Sequence, residues 1–258
     1  MKNIILQKEN FVAYLKINNQ SKLNAISLSM WQSLEKEINE IDKNDQIRCV
    51  VIQGEGNKAF SAGADISEFE KNRSNPKDIN TYEDASRRAM NLLQTISKPT
   101  VACIDGFCIG GGLALALSCD IRIASEKSIF SIPAAKLGLA YGFDGIKRLC
   151  SILGPSRAKY IFYTAKKFGT IEAQNIGIIE AYYSDKEFAS KTKQLVTKIV
   201  ENAPLTIKSA KISVDCDMED IESYKKCIEA EKLCFSSADY NEGKLAFLQK
   251  RKPVFKGK

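Results

Sequence analysis

The sequence predicts an α/β fold, and three features carry that expectation: short apolar runs of strand length, amphipathic stretches of helical period between them, and a largely helical pattern after Gly145. At 258 residues and 44% apolar content the chain can bury a substantial core. Segments 3–8 and 11–17 alternate and read as a β-hairpin. Ser27 or Ser29 then caps a helix with Met30, Leu34, Ile38 and Ile41 on one face. The run Cys49–Ile52 is a buried strand leading into the loop Gly54–Asp65. A polar, mobile segment is expected around Ser67–Asn80, followed by a helix carrying Ala85, Met90, Leu93 and Ile96 that stops before Pro99. Next come the strand Thr100–Ile104, a glycine turn Gly106–Gly112, a short helix Leu113–Ser118, the strand Asp120–Ala124 and a short strand near Ile129. Pro204 suits the first turn of a late helix, and Gly243 falls near the last one. A boundary near residue 200 divides an α/β core, 1–200, from a helical module, 201–258.

Composition excludes several chemistries. The chain has no histidine, so a Ser-His-Asp triad, a Cys-His pair, a His-ligated zinc site and a histidine general base are all ruled out. Acid-base work falls to carboxylates, Tyr, Lys, Cys or bound water. Eight cysteines form no CxxC pair and sit mostly in apolar runs, as reduced core thiols do, which predicts a reducing compartment. The first residues hold too short an apolar stretch for a signal peptide, and the Val101–Leu117 run is interrupted by Asp105 and glycines, so a cytoplasmic protein without a membrane span is expected. The net charge of +7 is scattered except for Lys250-Arg251-Lys252 with Lys256 and Lys258, which reads either as a solvated tail or as a contact for an anionic ligand.

Two segments are poorly explained by packing alone. Lys58–Ile66 is a run of small residues after a buried strand, where loop amides freed from a ladder can donate to a ligand. Gly106-Phe107-Cys108-Ile109-Gly110-Gly111-Gly112 enters a helix, where unpaired amides and the positive end of the helix dipole favour a developing negative charge. It is not a dinucleotide fingerprint, because Leu115 stands where the third glycine of GxGxxG would fall.

In this order, these loops resemble the crotonase (enoyl-CoA hydratase/isomerase) superfamily. The likeness extends to Lys22-Leu23-Asn24-Ala25, Phe130–Leu149 and the tail Phe247–Lys252. It implies a ClpP-like spiral of ββα units, a C-terminal helical trimerisation module, and a homotrimer or dimer of trimers. It further implies an acyl-CoA thioester as substrate, coenzyme A entering with it rather than as a resident cofactor, and no metal, nucleic acid or membrane partner. The thioester oxyanion hole would be built from the amides of Ala64 and Gly111, each such donor contributing on the order of 3 kcal/mol to an enolate-like transition state. Lys22, Leu23 and Ala25 would flank the CoA; Ala62, Asp65 and Ile66 would hold the adenine; Phe247 and Lys250 would reach the CoA of the same or a neighbouring subunit.

The chain departs from the hydratase pattern at two positions. Hydratases of the family carry one glutamate two residues past the glycine triplet and another after the following proline; here those positions are Ala114 and Ala134, and methyl groups exchange no protons. The turn Gly138–Gly145 offers Tyr141, which matches a tyrosine of the family's methylmalonyl-CoA decarboxylases, and Asp144, a candidate base. Those decarboxylases also carry a histidine at the position of Ala64, which this chain lacks. The structural alternatives are a helix N-cap for Asp144 and a buried tyrosine with a backbone-satisfied hydroxyl for Tyr141. Glu68 and Glu70 read as solvated helix residues. The expected activity is therefore an enoyl-CoA hydratase/isomerase-type reaction passing through a thioester enolate, with malonyl-type decarboxylation or silent acyl-CoA binding as alternatives.

Overall fold

The computed structural model describes residues 3–65 and 76–258, with side chains described up to Asp65 and from Asn80 onward. Strands β1 (Asn3–Glu9) and β2 (Val12–Asn18) form the expected hairpin, joined by Asn10 and Phe11, both at positive φ as a type I′ turn requires. The Arg48 guanidinium lies 4.5 Å over the Phe11 ring and helps hold that unusual turn residue. Helix α1 (Leu28–Asp42) is capped by Ser27, not Ser29, whose hydroxyl accepts from the Met30 amide, and it buries Met30, Trp31, Leu34, Ile38 and Ile41.

From there the chain steps along two sheets at once. Strand β3 (Cys49–Gly54) joins the large sheet and β4 (Ala59–Ser61) starts a small one. After α2 (Pro76–Thr95), β5 (Thr100–Ile104) extends the large sheet and β6 (Phe107–Ile109) the small one, before α3 (Gly111–Leu117). Strands β7 (Ile121–Ser125) and β8 (Ile129–Ser131) repeat the move. Helices α4 (Phe143–Leu153) and α5 (Pro155–Thr164) follow, then β9 (Phe168–Gly169), α6 (Thr170–Asn175) and β10 (Ala181–Tyr183). Four helices complete the chain: α7 (Asp185–Glu201), α8 (Pro204–Val214), α9 (Ile221–Ser236) and α10 (Ala238–Leu248). The large sheet runs β1-β2-β3-β5-β7-β10 and the small one β4-β6-β8-β9.

Both faces of the central strands β3 and β5 are buried, which is why these strands read as continuous apolar runs. Val50, Ile52, Ala102 and Ile104 face the main core with α1 and α2, while Cys49, Val51, Val101 and Cys103 face Val196 and Val200 of α7. The four buried cysteines, Cys49, Cys103, Cys108 and Cys119, are free thiols, and burial pushes Cys103 up to about 12.

Some expectations need correction. The glycine turn 106–112 and the loop 54–65 each contain a three-residue strand, and β9 and β10 interrupt the region expected to be helical. Such strands are too short to show a period of their own; pairing to neighbours defines them. From Pro76 the segment expected to be mobile is already helix, while its earlier part, with Ile66, Glu68 and Glu70, lies outside the described residues. Among the described residues no helix is long and apolar enough to cross a membrane.

The tail folds back on α10. Asp239, buried, accepts from the Lys256 and Gly257 amides at 2.7 Å each, and Glu242 takes both Arg251 Nη atoms and the Val254 amide. Lys252 pairs with Glu201 at 2.6 Å, so two of the three charges of the Lys250–Lys252 basic run are spent within the chain. Arg251 holds the Glu242 carboxyl down to about 2, so this clasp is at full strength above the ordinary carboxylate range and is lost as pH falls through about 2. Glu242→Gln should abolish that acid dependence and expose residues 249–258 to proteolysis at neutral pH, read by limited digestion against the parent.

Candidate active site

The first loop is tied down by its neighbours. The Asn24 amide group, buried, donates to the Glu55 and Ala59 carbonyls at 3.0 and 2.7 Å, while its oxygen accepts from the Asn19 amide. Ala62 N donates to Leu23 O at 2.9 Å, Ile26 N to Gly63 O at 2.7 Å and Asp65 N to Ile26 O at 3.1 Å. Residues 23–26 thus tie down residues 62–65, with the Ile26–Ala64 bridge at the centre. In this parallel pairing the Ala64 N–H is the one that faces away from the partner.

The second loop packs on the first. Gly63 has φ +99°, and a Cβ there would meet Ile109 O at 2.9 Å and Gly111 N at 3.4 Å, so only glycine permits this approach. Reciprocally, a Cβ on Gly111 would lie 3.8 Å from Ala64 N. The peptide units of residues 64 and 111 are therefore neighbours in space, although far apart in sequence. Gly111 opens α3, whose first amides have no intrahelical acceptor. Among the described residues, no carbonyl or side chain accepts from the N–H of Ala64 or of Gly111.

Both residues line one cavity of about 210 Å³. It gathers five of the sequence-derived candidates, Ala62, Ala64, Gly111, Tyr141 and Asp144, together with Ala114 and Ala134, the two positions that lack a glutamate. Ala114 and Ala134 are buried in its wall, leaving an apolar surface there. The far wall is α2, which sequence reading assigned only to packing: Tyr82, Glu83, Ser86, Arg87 and Met90 face the cavity. Their four-residue spacing was visible in the sequence, but Glu83 and Arg87 at i and i+4 look like an ordinary solvent-exposed pair.

Tyr141 is half-buried, its hydroxyl donating to Gly110 O at 3.3 Å and its ring edge-on to Phe162 at 5.1 Å. Burial, with lesser contributions from Cys108 and Glu83 that outweigh the opposing Arg148, pushes the phenol well above its usual range, so it stays protonated and acts as a donor. Asp144 is not the helix cap: the N-cap of α4 is Gly142, and Asp144 lies in the first turn, 3.6 Å from Arg87 Nε. Arg148 is buried behind this wall, donating to Ser118 Oγ at 2.8 Å, to Asn91 Oδ1 and to Gln94 Oε1, with no partner for Nε among the described residues; burial lowers its pKa.

Among the described residues expected around coenzyme A, Ala62 lines this cavity and Lys22, Leu23, Ala25, Asp65, Phe247 and Lys250 do not. Lys22 Nζ lies 3.0 Å from a buried Asp65 carboxylate, which commits the Asp65 side chain to that ion pair. Leu23 is partly exposed and Ala25 is buried beside them. Phe247 is 85% exposed at the end of α10, and Lys250 follows at positive φ. In one chain neither belongs to the lining of this cavity.

A two-sheet spiral with two glycine-rich loops meeting at a cavity defines a fold class, and comparison with known proteins gives the family. Residues 7–258 match the family model described as enoyl-CoA hydratase/isomerase. The chain is 34% identical to the short-chain-enoyl-CoA hydratase of Clostridium acetobutylicum, over 98% of this chain and 97% of that one. It is 30% identical to the methylmalonyl-CoA decarboxylase of Escherichia coli, over 96% and 95%. A solved enoyl-CoA hydratase/carnithine racemase from Magnetospirillum magneticum superposes with a TM-score of 0.93 at 29% identity, covering 100% of this chain and 97% of that one. The chain belongs to the enoyl-CoA hydratase/isomerase family, within the crotonase superfamily.

The packing of the two loops can be tested directly. Gly63→Ala combines a left-handed φ with the Ile109 clash and should cost about 1–3 kcal/mol by denaturant unfolding. Gly177→Ala has φ +87° but open space around it, so the excess loss at Gly63 reads the inter-loop contact itself.

Proposed function

We propose that this chain acts on short acyl-CoA thioesters and stabilises a thioester enolate with the amides of Ala64 and Gly111. The single observation that supports this is the pair of adjacent amides that have no acceptor among the described residues, on the wall of one cavity. A thioester oxygen seated between them would accept two hydrogen bonds that strengthen as charge moves onto it, and each donor would be worth about 3 kcal/mol. The cavity of about 210 Å³ suits a short acyl group. Lys22, Leu23, Ala25, Ala62, Asp65 and Ile66 would flank the coenzyme A moiety, which is part of the substrate.

Hydration requires a water held and activated by carboxylates, and Ala114 and Ala134 provide none. The reading is therefore a proton-transfer reaction of the enolate, with Tyr141 or Asp144 as the polar groups on the α4 side. Decarboxylation of a malonyl-type thioester is the second reading, favoured by Tyr141 in the cavity wall and by the relative of that name.

The C-terminal helices are proposed as a trimerisation module. Val214, Met218, Ile221, Phe247 and Leu248 are each more than two-thirds exposed in the single chain, an apolar surface that a neighbouring subunit would cover. Phe247 and Lys250 would then meet coenzyme A bound at that subunit or their own.

Incubation with crotonyl-CoA, a 3-enoyl-CoA and methylmalonyl-CoA, analysed by mass spectrometry, discriminates these readings. Product from the 3-enoyl or methylmalonyl ester with negligible hydration is expected; rapid hydration of crotonyl-CoA contradicts the reading, and affinity without any product points to a silent binder. Sedimentation of the purified protein should give a trimer or a multiple of it, and a monomer would refute the assembly.

A further inference from the structure

Helix α2 delivers two charged residues, Glu83 and Arg87, to the lining of the proposed acyl cavity, which also holds the alanines that stand where the family's hydratases keep their glutamates. Residues 82, 83, 86, 87 and 90 line it because positions three and four apart share one helix face. The other carboxylate of the lining, Asp144, has its side chain 46% exposed. The Tyr141 hydroxyl donates to Gly110 O and keeps its proton. Glu83 is half-buried, on the same wall as Tyr82 and Ser86, and near enough to Tyr141 for its charge to disfavour the phenolate.

We infer that Glu83 is the catalytic base that moves the substrate proton, an assignment that rests on the enolate reading above. A carboxylate on α2 would take over the proton transfer that the replaced positions on α3 and after Pro133 can no longer perform. The Glu83 carboxylate takes a proton from C2 of the acyl group. The C2–H bond breaks, its electron pair forms the C1=C2 bond, and the thioester oxygen receives the negative charge at the two loop amides. The protonated Glu83 then returns the proton to C2 or, with a 3-enoyl thioester, to C4, which leaves the 2-enoyl thioester and regenerates the carboxylate. One carboxylate suffices for this allylic transfer, whereas hydration calls for a bound water as well. The substrate class is thus a short 3-enoyl thioester.

The experiment is incubation of 3-butenoyl-CoA in D₂O with the parent, Glu83→Gln, Glu83→Asp and Glu83→Ala. Mass spectrometry reads deuterium uptake and 2-enoyl product, and a titration reads thioester affinity. A general base contributes about 100-fold or more, so Glu83→Gln should lower both exchange and isomerisation by that factor with affinity within threefold of the parent. Formate should restore part of the activity of Glu83→Ala, which a merely structural role would not allow. If Glu83→Gln loses affinity as well, the comparison of Glu83→Asp with Glu83→Gln decides: retained exchange in the Asp variant alone supports the base, equal loss overturns it. Exchange by Glu83→Gln within threefold of the parent also overturns it, leaving the enolate reading intact. No exchange by the parent, despite binding, overturns the enolate reading itself.

Discussion

The structure depends on two partly buried backbone N–H groups that have no acceptor among the described residues. Amides without a protein acceptor are costly where water is excluded, and a fold keeps them where its surroundings leave them no alternative. Here one amide is the outward-facing member of a parallel bridge whose other hydrogen bonds bind Ile26 to Gly63 and Asp65. The other opens a helix, where geometry denies it an acceptor. Each deficit has a local cause, and the Gly63–Ile109 contact brings the two together.

The surrounding architecture serves that contact. Each ββ step places one strand in the large sheet and the next in the small sheet, so β4 and β6 are held side by side and the loops that follow them meet. Asn24 extends the fixation to the opposite end of the first loop with side-chain hydrogen bonds to two carbonyls. Because the electrostatic part of such a site resides in main-chain atoms, side chains on the surrounding wall can change without dismantling it. The alanines at 114 and 134 are compatible with that division: they alter the available acid-base groups and leave the loop geometry in place.

Much of this was legible in the sequence, and the missing parts share a physical cause. The α1 face, the buried runs 49–52 and 100–104 and the two small-residue loops each carry a local signal of period or composition, and the structure has them where expected. The strands 59–61, 107–109, 168–169 and 181–183 carry none, because they exist through pairing with distant partners. The same holds for the site. Ala64 and Gly111 could be picked by motif, whereas the cavity wall from α2 could not, since Glu83 and Arg87 have the spacing of a surface pair and only the tertiary packing turns them inward. For Asp144 the structural alternative fails: Asp is a favoured cap, but here Gly142 takes the cap position and Asp144 lies beside Arg87.

The C-terminal basic run shows a related effect. Its charges suggested an anionic ligand, yet Arg251 and Lys252 find Glu242 and Glu201 once the tail folds back, so net charge along a sequence is a poor guide to charge available for binding. The most direct measurement of the central claim is the infrared carbonyl stretch of a ¹³C-labelled acyl-CoA thioester bound to the protein. Convergence of the two amides on the thioester oxygen predicts a band at lower frequency than that of the same ester in water. A band at the aqueous position, or higher as in an apolar solvent, would contradict it.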